Sequence, residues 1–294
     1  MKLGKHLINL ALFKLGATRP SCGPLKVQWE ITYHCNLRCR HCQIWQIPAE
    51  EIKKNTLTLD QQKRILDDLA ANDVGHVSFS GGEMFLQKTV YELIAHAKSL
   101  GLKVGGNSNA FLINPEIAEK IARSGLDMLY VSLDGDNAVT HDAIRGVPGA
   151  FDHVFEGVAN LKRAAPNIGT FFNMTVNATN VGQINGVAQR AREAGVDGLT
   201  VEITNTFDKY SPNPELILAR ERYPILREQI RALMRGYPDL LPHQEDYFAE
   251  FETYLTQPER LYAYRCAAGY ITAQIHPNGD FYSSANYERV EPVG

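Results

Sequence analysis

Three cysteines fall within eight residues, Cys35, Cys39 and Cys42, in the stretch "ITYHCNLRCRHCQIW". The chain has only five cysteines in all. Clustered thiols serve zinc sites, redox pairs and iron–sulfur clusters. A structural zinc ion is normally closed by four ligands, usually as two pairs, so a fourth would have to be His34, His41 or a distant residue. A thioredoxin-type pair would leave Cys35 without a role. A [4Fe–4S] cube takes one ligand per iron, and three cysteines leave one iron open to another molecule. The compact three-thiol loop therefore points to a cluster with an open iron.

Other residues able to do chemistry follow at intervals. Gly81-Gly82-Glu83, in "FSGGEMFL", combines glycines that let the backbone approach a ligand with a carboxylate suited to an ammonium group. "GGNSNAF" offers Asn107, Ser108 and Asn109 as neutral polar groups. "VSLDGDNAVTHDAIRG" carries Ser132, Asp134 and Arg145. In "FFNMTVNATN", Asn173, Thr175 and Asn177 recur every second residue, which places them on one face of a strand.

The elements that must position these residues alternate regularly. Strands are predicted at 26–33, 76–80, 102–108, 128–134, 170–176 and 198–204. Between them, Thr58 and Gln61 form a capping box for a helix with Leu59, Leu66, Leu69 and Ala70 on one face. Further helices are expected near 88–100, at 115–125 with Pro at its start and Gly at its end, and over about 150–164 and 181–194. Six β–α steps in a row imply an α/β fold with a parallel sheet and right-handed crossovers. Six strands are too few for the full eight-stranded barrel, so an open, partial (βα)6 TIM-like barrel is expected. In such sheets ligands gather at the carboxyl ends of the strands, and the polar signatures above all follow predicted strands. After residue 210 the chain turns helical and charged, with Pro224 opening a helix through Leu226, Ile230, Leu233 and Met234. "YITAQIHPNGDFYSSANY" (270–287) then reads as a β-hairpin with "PNGD" as its turn.

The spacing Cys35-x-x-x-Cys39-x-x-Cys42 after a first strand, with the strand-end signatures downstream, resembles the radical S-adenosylmethionine (SAM) enzyme superfamily over residues 26 to about 204. The resemblance implies that the three cysteines hold a [4Fe–4S] cluster whose open iron chelates SAM. It places Gly81, Gly82 and Glu83 at the SAM amino group and Arg145 at its carboxylate. Ser132 and Asp134 would lie near the ribose or substrate, and Asn107, Ser108, Asn109 and Asn173 would line the SAM or substrate site. Val201 would pass its backbone beside the adenine, and Glu202, Asn205, Asp208 and Tyr210 are candidate substrate contacts. It further implies reductive cleavage of SAM to a 5′-deoxyadenosyl radical and hydrogen abstraction from a peptide, cofactor precursor or other small molecule. An electron donor such as flavodoxin or ferredoxin would feed the reaction. The family spans oxidation, coupling, epimerisation and adenosyl transfer. The segment from Cys266, with Gly269 and the Pro277–Gly279 turn, resembles the SPASM or Twitch extensions that hold auxiliary clusters. Where a second cysteine would follow the hairpin, Ser283 and Ser284 stand instead, and only Cys22 and Cys266 remain outside the main triad. The alternative class is an iron–sulfur or zinc module that binds SAM or a partner without radical catalysis.

With 294 residues the chain has room for one large domain and an appendage. The expected division is 1–24 as an N-terminal helix and linker, 25–210 as the core, and 211–294 as the helical segment and hairpin. A net charge of −3 supplies no basic field for nucleic acid. An odd, clustered set of cysteines suits a reducing cytoplasm better than a disulfide framework. No apolar run approaches the ~18 residues that read as a membrane span. "LINLALF" is closed by Lys14 and does not read as a signal peptide. Residues 1–17 form a basic amphipathic helix, which could contact a membrane surface peripherally or dock on the parent domain. The last stretch, "YERVEPVG", is strand-like up to Gly294.

Overall fold

Period-two burial sorts a strand into a helix-facing row and an inward-facing row. β5 (Gly169–Val176) shows it cleanly: Thr170, Phe172, Met174 and Val176 are buried, while Phe171, Asn173 and Thr175 between them are half-buried. A parallel sheet filled on both faces would bury both rows. The half-exposed inner row therefore marks a hollow, and that hollow is where the chemistry can sit.

The computed structural model describes residues 2–204, 213–241, 247, 248, 250–257, 259, 260 and 265–283. Asn205, Asp208, Tyr210, Ser284 and the final strand-like stretch lie outside the described residues. The strands β1 (Lys26–Thr32), β2 (His76–Gly81), β3 (Lys103–Ser108), β4 (Met128–Ser132), β5 and β6 (Gly198–Ile203) lie side by side in chain order, each parallel to the next. This is the expected α/β sheet of six β–α steps, open at the β6 edge. At the other edge the sheet continues: β7 (Thr272–Ile275) pairs parallel with β1, and β8 (Phe281–Tyr282) pairs antiparallel with β7. The C-terminal hairpin is thus built into the main sheet, and β1 is an interior strand.

Helices α1 (Lys2–Lys14), α2 (Ala49–Lys54), α3 (Leu59–Ala71), α4 (Val90–Ser99), α5 (Pro115–Ser124), α6 (Ala138–Arg145), α7 (Ala150–Ala164) and α8 (Ile184–Ala194) are joined by α9 (Tyr223–Gly236) and α10 (Phe251–Thr256). The expected signals start and stop them. Thr58 and Gln61 form the capping box of α3, with the Thr58 backbone N–H donating to Gln61 Oε1 at 2.9 Å. Asn114 caps α5 ahead of Pro115, and Gly125 ends it in the left-handed conformation. The core lies between the outer strand rows and the helices. Val27, Trp29, Phe79, Leu129 and Phe172 are fully buried there with Leu66 of α3 and Ile121 of α5. Burying each such side chain stabilises by about 1.5–3 kcal/mol. Leu66→Ala would remove that and leave a cavity, costing about 2–5 kcal/mol.

Candidate active site

The cysteine loop begins where β1 stops being regular. The register with β2 shifts between Glu30 and Thr32, a bulge of the kind that re-aims a chain next to a site. The Gly82 N–H donates to the Thr32 carbonyl and the Glu83 N–H to the His34 carbonyl, both at 2.8 Å. Only glycine fits here: a Cβ on Gly82 would fall 2.1 Å from the His34 carbonyl oxygen. On its other side the loop is pinned by the end of α6, where the Arg38 and Arg40 N–H groups donate to the Arg145 and Ile144 carbonyls at 3.1 and 2.8 Å. A third tie comes from the end of β3, where Asn109 Nδ2 donates to Asn36 Oδ1 at 2.9 Å. The chain past β6 returns to it as well, with Asn213 Nδ2 donating to the Arg40 carbonyl at 2.6 Å and Glu215 ion-paired to Arg40.

The loop opens onto a cavity of about 290 Å³ at the carboxyl ends of the strands. Of the residues expected from the sequence, Cys35, Cys39, Cys42, Gly81, Gly82, Asn107, Ser108, Asn109, Ser132, Arg145 and Asn173 line it together. Leu37, Ile44, Trp45 and Ser80 also line it and were not singled out in the sequence. Ser80 had a signal, since it shares the inward face of β2 with His76 and Ser78. Trp45 carried none; its indole N–H donates to the Cys39 carbonyl at 3.2 Å and closes the loop.

Five expected residues sit elsewhere. Glu83 is fully buried and does not line the cavity. Its carboxylate accepts from Ser108 Oγ at 2.9 Å, the Asn109 N–H at 2.8 Å and the Phe85 N–H at 3.2 Å. It therefore fastens the end of β3 rather than facing the open space. Burial pushes its carboxyl up to about 7 against the pull of those donors and of Arg145. Asp134 is also fully buried, and its Oδ2 lies 2.7 Å from Arg145 Nη2. That contact is an ion pair whose angles miss a well-aligned hydrogen bond. Burial would raise the Asp134 carboxyl, but Arg145, His41, His141 and the Thr175 N–H together outweigh it and hold the group below the usual carboxylate range. Val201 is buried, opposite Met174 in the β5–β6 register, and is absent from the lining. Asn177, grouped with Asn173 and Thr175 by spacing, instead closes a turn by accepting from Thr179. Glu202 is exposed on β6.

The cavity's own chemistry fits an iron–sulfur cluster. The three cysteines are free thiols. Burial pushes Cys35 up to about 11 and raises Cys42 as well, so thiolates there need added positive charge, which bound iron supplies. Arg145 adds a fixed cation, with Nη1 3.7 Å from Cys39 Sγ and a buried Nε that has no partner. Among the described residues, no three His, Cys, Asp or Glu side chains converge on a point suited to a single metal ion. A cube gives each thiolate its own iron, so its ligands surround the site without meeting at one centre.

The sequence model of the Radical SAM superfamily matches residues 29–191, more than half of the chain. The chain belongs to the radical SAM superfamily. The cofactors of this family are a [4Fe–4S] cluster and SAM. An AdoMet-dependent heme synthase of Methanosarcina barkeri is 36% identical over 175 residues, which is 58% of this chain and 48% of that protein. The mycofactocin maturase MftC of Mycolicibacterium smegmatis is 30% identical over 281 residues, covering 92% of this chain and 66% of that one. The chain spans about half the length of the heme synthase relatives it matches. The radical SAM fold is shared with Streptococcus suis SuiB bound to S-adenosylmethionine, at a TM-score of 0.72 and 19% identity, over 97% of this chain and 65% of that one.

Proposed function

We propose that this chain is a radical SAM enzyme that uses a [4Fe–4S] cluster to cleave SAM reductively and abstract hydrogen from a peptide or cofactor-precursor substrate. The observation that carries the reading is one cavity lined by three free cysteines, the Gly81–Gly82 backbone and Arg145. When bound, the cluster and SAM supply a one-electron cleavage that yields a 5′-deoxyadenosyl radical.

The chain's own residues do the holding and shielding. Cys35, Cys39 and Cys42 would hold the cluster. Arg145, kept charged by Asp134, would face the SAM carboxylate. Gly81 and Gly82 allow close approach, and Asn107, Ser108, Asn109, Ser132 and Asn173 offer neutral hydrogen-bonding groups along the wall. Glu83 acts one step back, by fixing Ser108 and Asn109. Leu37, Ile44 and Trp45 give the mouth an apolar rim that excludes water. The substrate class rests on the relatives, one named for heme synthesis and one for mycofactocin maturation. An electron donor of the flavodoxin or ferredoxin type would reduce the cluster.

The test is 5′-deoxyadenosine formation by anaerobically reconstituted protein with SAM and a strong reductant. The brown, iron-loaded chain should form it and the Cys39→Ala variant should not. A colourless zinc-loaded protein, or a fully reduced cluster that leaves SAM intact, would overturn the proposal in favour of a binding module.

A further inference from the structure

Helix α1 meets the body of the protein with the opposite side from the one an amphipathic helix normally buries. Among its described side chains, His6 and Asn9 are buried, and Leu10 and Phe13 are half-buried beside them. His6 is 3% exposed, with Nε2 2.8 Å from the Asp73 carbonyl. Asn9 is fully buried, and its Oδ1 accepts from the Ser21 N–H at 2.8 Å and Ser21 Oγ at 3.2 Å. Phe13 packs on Tyr270 at 4.8 Å between ring centroids, beneath the Arg265 guanidinium. The leucine side faces outward: Leu7, Ile8, Leu12 and Leu15 are 60%, 60%, 38% and 84% exposed.

At 3.6 residues per turn these four side chains, with Ala11 among them, span an arc of about 140°. Lys14 and Lys5 lie about 20° beyond its two edges. Lys5 reaches Asp73 at 2.5 Å but stays half-exposed. The first acidic residue of the chain is Glu30, after Lys2, Lys5, Lys14, Arg19 and Lys26. An exposed apolar arc bordered by lysines on both sides is the arrangement of a helix lying in the plane of a bilayer surface. A second copy of the chain would bring lysines against lysines, with no acid in the first 29 residues to pair them.

We infer that α1 is a peripheral anchor that places its leucine face in the surface of an anionic lipid bilayer. The fold sets the orientation. α1 rests on Asp73, just before β2, and on Tyr270, just before β7. These are the amino ends of the strands, whereas the cysteine loop and its cavity lie at the carboxyl ends. An anchored molecule therefore turns its cavity toward the aqueous phase, and substrate and reductant arrive from there.

Flotation of the reconstituted full chain with vesicles tests this without any SAM turnover, so failure of the catalytic proposal leaves it intact. Binding is expected to vesicles of phosphatidylglycerol and phosphatidylcholine, and to be lost with phosphatidylcholine alone. Lys14→Ala should lower the partition coefficient about fivefold. The double variant Ile8→Glu, Leu12→Glu should lower it more than about tenfold, with unchanged cluster absorption and melting temperature because both positions are exposed. Equal flotation of wild type and double variant would overturn the inference, as would no flotation with anionic vesicles. A concentration-dependent dimer of the wild type that Ile8→Glu dissolves would likewise assign the face to a second copy.

Discussion

Two buried carboxyls beside the cavity respond to pH in opposite senses. Asp134 is held low by Arg145 in the folded protein. Its contribution to stability is therefore full above the ordinary carboxylate range and is lost as pH falls through the depressed folded value. Arg145→Leu strips the cation from a fully buried carboxylate and leaves it the Thr175 N–H at 2.9 Å as its hydrogen-bond donor, a loss of about 3–5 kcal/mol. It also reverses the sign, because burial alone favours the protonated acid. Relative to wild type, urea melts of this variant should show stability falling as pH rises from about 4 to 7. A parallel pH profile would refute the pairing. Glu83 already behaves in that second way. Its folded value of about 7 lies above the ordinary 4.5, so its contribution is greatest below pH 4.5 and is lost as pH rises through 7. The full swing is about 3 kcal/mol. Glu83→Gln removes the titration and should flatten that part of the profile. Glu83→Ala leaves the Asn109 and Phe85 N–H groups without their acceptor and should cost about 2–3 kcal/mol, while the reconstituted cluster absorption persists.

Elements converge on the cysteine loop from three directions: the end of β2, the end of β3 and the last turn of α6. The contact at Gly82 leaves no room for a side chain. Gly82→Ala should force the His34 end of the loop away and reduce iron bound per chain, with far-ultraviolet circular dichroism unchanged. Gly182→Ala, whose Cβ would meet nothing within 4 Å, should load iron normally. Equal loading of the two variants would show that the loop does not depend on this approach. Six strands, seven of the helices and the capping residues Thr58 and Asn114 with Pro115 and Gly125 are legible in the sequence because they follow local periodicity and local hydrogen bonding. α6 was legible only as a polar signature after β4. Its buried side includes His141 and Arg145 beside Ile144, so no apolar period announces a helix. The pairing of β7 with β1 joins segments at opposite ends of the chain, and nothing local encodes it. The residue types at positions 83 and 134 were informative, but the direction in which their carboxylates point depends on donors from β3, β5 and α6.

At the scale of the molecule, the C-terminal hairpin completes the face of the sheet that carries the cysteine loop. Its turn also holds the α2–α3 connection, with the Leu57 N–H donating to the Pro277 carbonyl at 3.1 Å. A chain ending before residue 265 would leave the β1 ladder open on one side, and an unpaired edge of this kind templates association. Such a chain should scatter light on concentration and melt earlier than the full chain; a monomeric, equally stable fragment would show that the hairpin is an independent appendage. The pairing of Lys26 with Thr272 also has a consequence in time. At 5–20 residues added per second, synthesis separates the two strands by tens of seconds. During that interval the nascent chain displays its cysteine loop on a strand that still lacks its neighbour. Iron delivered before β7 emerges would meet a half-built site, so a well-ordered maturation loads the metal after the hairpin has paired with β1.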